Sequence, residues 1–178
     1  VFGMLLLTVI LIGLYQRGRL HGESGDGSQV TDGQTVYSFA MGTSVSVSLY
    51  DAPGGEEEKL AQAVKNLDEQ EISWRQEGST LYRLNHSYTA GQETMISDTL
   101  YVALTQAYNI CKDSEGALDI TIRPLANLWN IESATAEDFV IPDESQITTA
   151  LAKTGYESVT IGEDKSVTLA KPGMILDL

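Results

Sequence analysis

The side chains best suited to nucleophilic or metal chemistry are few: one cysteine, Cys111, and two histidines, His21 and His86. One Cys and two His at such separations build no Cys/His zinc cluster, and a lone thiol closes no intrachain disulfide. Cys111 falls on an apolar helical face, where it reads as packing rather than as a nucleophile. The sequence holds no nucleophile elbow, Walker loop, HExxH pair or dinucleotide fingerprint. The acidic run Glu56, Glu57, Glu58 stands where a helix begins, opposite the positive end of its macrodipole, and reads as helix electrostatics rather than metal ligation. Taken singly, no residue announces a reaction.

Length and charge narrow the classes. The chain has 178 residues, which predicts one domain, at most with a small appendage. Apolar residues make up 42% and charged ones 20%, with four prolines, a composition that buries a core. Eleven Lys+Arg against 25 Asp+Glu leave a net charge of −14. Such a chain repels phosphate backbones, so nucleic acid is excluded as a general partner. An anionic small ligand needs local help from a divalent metal, backbone N–H groups or one of the few cations.

The elements that must position any chemistry follow from periodicity. Residues 1–15, VFGMLLLTVILIGLY, carry no charge and read as a signal peptide or membrane anchor. No Cys follows the run for lipid attachment, and Arg17 and Arg19 flank it on the side that the positive-inside rule assigns to the cytoplasm. Residues 16–34, rich in Gly, Ser and Asp, read as a flexible tether, so the folded domain is expected from Thr35. From Thr35 to Tyr50, Tyr37, Phe39, Met41, Val45, Val47 and Leu49 alternate with polar residues. That period of two predicts one half-buried strand, or two segments jointed at Gly42. Leu60, Val64, Leu67 and Trp74 predict a helix, and Ser79 is a candidate N-cap for LYRLN. Ser97 caps a second helix through Leu100, Leu104, Tyr108 and Cys111 to Gly116, and Pro142 to Lys153 predicts a third, stopped by Gly155. Pro124 marks a turn and a possible helix start. SVTI and SVTLA flank GEDK as a hairpin, and MILDL at the end reads as a strand. The order of elements predicts an α+β fold with a mixed or antiparallel sheet and packed helices.

Four strings go further: FAMGTSVSVSLY at 39–50, EISWRQEGSTLYRLN at 71–85, SEGALDITIRPLANLW at 114–129 and KPGMILDL at 171–178. In this order they closely resemble the FAD:protein FMN transferases of the ApbE type, long labelled thiamine biosynthesis lipoproteins. The resemblance covers about residues 36 to 178 and implies a single ApbE-like domain in an enzyme that binds FAD with Mg²⁺. Such an enzyme splits the pyrophosphate and places FMN on a threonine hydroxyl of a partner flavoprotein, such as a subunit of a membrane redox complex, releasing AMP. The anchor and tether agree with that family's place outside the cytoplasm, on the membrane of a bacterium.

Carried over residue by residue, the resemblance implies that Met41, in MGT, contacts the flavin nucleotide, and that Trp74 stacks on a ring of FAD. In GALD it implies that Ala117, Leu118 and Asp119 form the nucleotide-binding turn. Small side chains at Gly116 and Ala117 let a planar ring approach the backbone there, and the Asp119 carboxylate accepts from an amine or ribose hydroxyl. Ser79, Asn85, Thr121 and Pro124 belong to the same strings and read as structural. In the family, the metal-binding Asp and Thr and the proton-transfer residues follow the LDL strand. The resemblance therefore implies a chain truncated at its C-terminus, without the Mg²⁺ site and with its catalytic residues beyond Leu178. A flavin-binding module without transfer activity and an anchored structural domain are the competing readings. The downstream metal residues tell the first from the transferase; FAD affinity tells the second from both.

Overall fold

A computed structural model describes residues 33–133, 135 and 139–178. The expected anchor (1–15) and most of the expected tether (16–34) lie outside the described residues. The chain divides into two compact bodies, the first ending at Lys65 and the second running Asn66–Leu178.

In the first body, β1 (Gln34–Ala40) and β2 (Thr43–Leu49) form an antiparallel hairpin. The turn is two residues, Met41 and Gly42, both with positive φ (54° and 69°). This is the mirror-image turn whose twist matches that of the strands it joins. A two-residue loop pairs even positions of β1 with odd positions of β2: Val36 faces Val47 and Ser38 faces Val45. The shared odd face expected from the sequence is therefore corrected. Tyr37 and Phe39 pair with Ser46 and Ser44 and point to solvent, 79% and 68% exposed, while Val45 and Val47 are buried. A turn reverses the phase of the alternation, and a hydrophobic pattern read straight through it assigns half the residues to the wrong side.

Helix α1 (Glu56–Leu67) opens with its three glutamates and contributes Ala61 to a small core with Ala40, Val45 and Val47. Val36, Met41, Leu49, Leu60 and Val64 pack around these four.

The second body begins at a point where the sequence reading needs another correction. A π-helical turn (Asp68–Ile72) follows α1, and the Ser73 N–H donating to the Asp68 carbonyl at 3.0 Å closes it. Trp74 therefore stands outside the helix, in a bend. Ser79 caps α2 (Thr80–Ser87), accepting from the Tyr82 N–H, and Ser97 caps α3 (Asp98–Asp113), accepting from the Leu100 N–H. Leu100, Leu104, Ala107 and Cys111 bury one face of α3. Pro124 sits in the first turn of α4 (Arg123–Trp129), where its missing N–H costs nothing. Asp143 and Gln146 form a reciprocal capping box on α5 (Glu144–Leu151).

The hairpin expected around GEDK is present as β4 (Val159–Ile161) and β5 (Ser166–Leu169), antiparallel. A short strand that the sequence reading did not anticipate, β3 (Glu93–Met95), pairs with the other edge of β5, so the sheet order is β3-β5-β4. The described sheets are antiparallel throughout.

MILDL is not a strand. Met174 and Leu176 are fully buried, but the backbone bonds of this segment go elsewhere than to a ladder. The Asn85 side chain donates to the Leu176 carbonyl and accepts from the Leu176 N–H, both at 2.9 Å, and the Asp177 N–H donates to the Ile120 carbonyl at 2.8 Å. One buried amide side chain thus stands in for a neighbouring strand.

Candidate functional site

The residues expected to grip a nucleotide fall in both bodies. In the first, Met41 occupies the first turn position of the hairpin, half-buried against the Ala40, Val45, Val47, Ala61 core. A side chain other than glycine in the left-handed region carries a conformational cost of about 1–2 kcal/mol. The position is therefore not one that turn chemistry alone selects.

In the second body the GALD turn follows directly from the end of α3. Glu115 and Gly116 turn left-handed (φ 52° and 83°), and the Gly116 N–H donates to the Cys111 carbonyl at 2.9 Å. A Cβ at Gly116 would meet the Tyr156 ring at 3.3 Å, so the glycine serves both the backbone turn and a close approach. The Ser114 hydroxyl accepts from the Leu118 N–H at 3.1 Å, and the Ala117 N–H donates to the Ser114 carbonyl at 3.0 Å. Ala117 is exposed and Leu118 and Asp119 are half-buried.

The Asp119 carboxylate uses one oxygen to brace its own turn. Oδ1 accepts from the Thr121 N–H at 2.8 Å and from the Thr121 hydroxyl at 2.6 Å. Thr121 is fully buried, and its Oγ1 accepts in turn from the Gly155 N–H at 2.7 Å. Asp119 Oδ2 has no hydrogen bond among the described residues. The result is a stiff turn presenting small side chains, with one carboxylate oxygen open to a donor. Thr121 and Asn85, expected to be structural, are so: each satisfies backbone groups far away in sequence.

Trp74 is half-buried in a cluster of charges that the sequence reading missed. The Arg123 guanidinium carbon lies 3.2 Å from its ring centroid and that of Arg75 lies 4.3 Å away. Arg123 is 6% exposed. Its Nε donates to Asn127 Oδ1 at 2.8 Å, and its Nη1 to Glu132 Oε1 at 2.8 Å and Asp177 Oδ2 at 3.2 Å. Arg75 donates to the same Glu132 oxygen at 2.7 Å. The two carboxylates respond in opposite senses. Hydrogen bonding from Arg123 holds Glu132 below the usual glutamate range, whereas burial pushes Asp177 above the usual aspartate range despite Arg123 beside it. The available signal was the isolated cation in IRPL, at the first position of a helix where a positive charge opposes the macrodipole.

Cys111 is fully buried, and burial raises its thiol further from the reactive thiolate, as packing rather than nucleophilic use requires. Among the described residues, no three His, Cys, Asp or Glu side chains gather to hold a metal ion.

The model of the ApbE family matches residues 41–178. The chain is 33% identical over 137 residues to an FAD:protein FMN transferase of Salmonella typhimurium, covering 75% of this chain and 37% of that protein. To one of Vibrio cholerae it is 28% identical over 143 residues, covering 78% and 42%. It thus spans less than half the length of the curated relatives it matches. Its fold is similar to that of the ApbE protein from Thermotoga maritima (TM-score 0.68, 24% identity, 83% of this chain and 47% of that one). It is also similar to that of the flavin transferase ApbE from Vibrio cholerae (TM-score 0.66, 24% identity, 82% and 48%). With more than half of its length matched by that family model, and with the antiparallel sheets and packed helices of those structures, the chain belongs to the ApbE family.

Proposed function

We propose that the protein is an FAD:protein FMN transferase. In this reading a threonine hydroxyl of a partner flavoprotein attacks the FMN phosphorus of FAD, the bond to the bridging pyrophosphate oxygen breaks, AMP leaves, and the hydroxyl proton passes to a base. The partner is an exported flavoprotein such as a membrane redox subunit. The reaction takes place outside the cytoplasm of a bacterium, with residues 1–15 as the anchor and 16–34 as the tether.

The observation that carries the reading is the GALD turn within the family-matched stretch: rigid, lined by Gly116 and Ala117, with an open Asp119 oxygen. There Ala117 and Leu118 border a planar ring, and Asp119 Oδ2 accepts from an exocyclic amine or ribose hydroxyl. Trp74 offers a stacking surface, and the family strings assign Met41 a soft thioether contact.

Magnesium enters the reading as the ion that neutralises phosphate charge in such transfers. The described residues gather no centre for it, so no step is assigned to it and the part given to these residues is grip and orientation of the nucleotide. In-line geometry of attacking and leaving oxygens depends on that grip.

The test is incubation of the protein with FAD, Mg²⁺ and a threonine-bearing acceptor. The expected result is a fluorescent flavin adduct that survives denaturing electrophoresis, with AMP released in equal amount. FAD uptake without adduct or AMP contradicts transfer and leaves a binding module; no uptake contradicts both.

A further inference from the structure

We infer that Arg123 is a positioning residue for Trp74: its buried guanidinium, locked against the indole, fixes the ring in the orientation in which it stacks on the bound nucleotide. The inference rests on the reading of Trp74 as a flavin-nucleotide contact, and extends it to a residue that touches no ligand.

Three observations carry it. First, Arg123 stands at an unfavourable place: a cation at the first position of α4 opposes the helix dipole, and its near-complete burial is costly for any charge. A residue that breaks a local rule while held by several neighbours points to a purpose beyond the local element. Second, its attachments leave it little freedom. Asn127, Glu132 and Asp177 take donors from two of its three nitrogens, and its guanidinium carbon lies 3.2 Å from the Trp74 centroid. Third, Trp74 has no helix to hold it. It follows the π-helical turn, in a bend, so the orientation of its ring must come from side-chain contacts.

The other cation at the ring differs. The Arg75 side chain is 42% exposed and is held by Glu132, itself 43% exposed. An exposed pair of this kind contributes little. Arg75 is thus a replaceable neighbour and Arg123 the fixed one. The two arginines and the two carboxylates sum to zero formal charge.

The experiment uses the full chain with Trp129→Phe, so that emission reports Trp74 alone. Variants are Arg123→Lys, Arg123→Met and Arg75→Met. Emission maximum and acrylamide quenching are measured without ligand, and affinity with FAD. Both Arg123 variants should open Trp74 to quencher and weaken FAD binding by about tenfold, the scale of a desolvated cation–π contact. Arg75→Met should stay within about twofold. Arg123→Lys keeps the charge and the stem, and serves if Arg123→Met does not fold. With Trp74→Ala already present, removing Arg123 should cost no further FAD affinity.

Unchanged Trp74 emission and quenching in the Arg123 variants overturns the inference, as does an FAD loss that adds fully to that of Trp74→Ala. If the parent chain takes up no FAD, the proposed function fails, and the quenching comparison alone still decides whether Arg123 orients the ring.

Discussion

The β1–β2 hairpin and the body that follows it are held by different kinds of interaction. The hairpin is specified over a few residues: a two-residue turn, seven cross-strand pairs and a core of small side chains. In the second body, single polar side chains tie distant backbone: Asn85 to Leu176 across 91 residues, Tyr88 to the Lys171 carbonyl across 83, Thr121 to Gly155 across 34. Local pairing sets a register, but cooperativity with a distant segment needs bonds that no segment can satisfy by itself. The contrast teaches where precision is held: the turn that presents Asp119 is braced locally by Ser114 and Thr121, and Thr121 ties it to distant backbone at Gly155.

The largest expected effect comes from breaking such a tie. Asn85→Leu strips the Leu176 N–H and C=O of their buried partners and should cost about 3 kcal/mol in denaturant unfolding, at about 1–3 kcal/mol for each buried group left unsatisfied. A cost below about 1 kcal/mol would mean that the amide clamp is incidental.

In the hairpin, Met41→Asn should separate stability from binding. Asparagine tolerates φ 54° better, and this relief offsets the lost apolar contact, so stability should stay within about 1 kcal/mol of the parent. FAD affinity should nevertheless fall by about tenfold, as loss of a sulfur–ring contact of about 1.4 kcal/mol requires. An unchanged affinity removes Met41 from the site.

The carboxylates around Arg123 give a pH test with two signs. The pKa of Glu132 is lowered in the folded state, so its stabilisation is present above its unfolded value and is lost as pH falls through the folded one. The pKa of Asp177 is raised, so its ionised form opposes folding at neutral pH and that penalty is relieved as pH falls through the raised value. Relative to the parent, Glu132→Gln should lose stability at pH 7 and recover on acidification. Asp177→Asn should be favoured at pH 7 and lose that advantage in acid. Parallel pH profiles for the two variants would contradict this assignment. The smallest effect belongs to Thr35→Val, which removes the exposed hydroxyl pair with Ser48 and should change stability by less than about 0.5 kcal/mol in thermal unfolding.

Legibility in the sequence follows the same division. Ser79 and Ser97 were readable as boundaries because caps act within one helical turn, and SVTI-GEDK-SVTLA was readable because a hairpin is local, whereas the helix expected to run to a stop at Gly155 ends at Leu151 with Ala152 as its cap. Periodicity failed wherever a neighbour in space decides. The Met41–Gly42 turn reversed the facing of Tyr37 and Phe39. MILDL has the alternation of a strand, yet it found a side-chain amide rather than a ladder. Trp74 fits the helical spacing, but the π turn placed it outside the helix. For the candidate site, GALD and Trp74 are proposed through family strings, while Thr121 and Asn85 each bond distant backbone. Arg123 was not legible, because its meaning lies in contacts with Trp74, Glu132 and Asp177, which no spacing in the sequence brings together.

The central claim, that the GALD turn receives the flavin nucleotide, is tested most directly by titrating FAD into the chain and its Asp119→Asn variant, following flavin fluorescence. The amide oxygen of asparagine can still accept from Thr121 and keep the turn, while the open carboxylate oxygen is replaced by a donor. The account predicts saturable binding by the parent and a loss of about tenfold or more in the variant with unfolding unchanged, the scale of one hydrogen bond to a charged group. Equal affinity in the two proteins would contradict it.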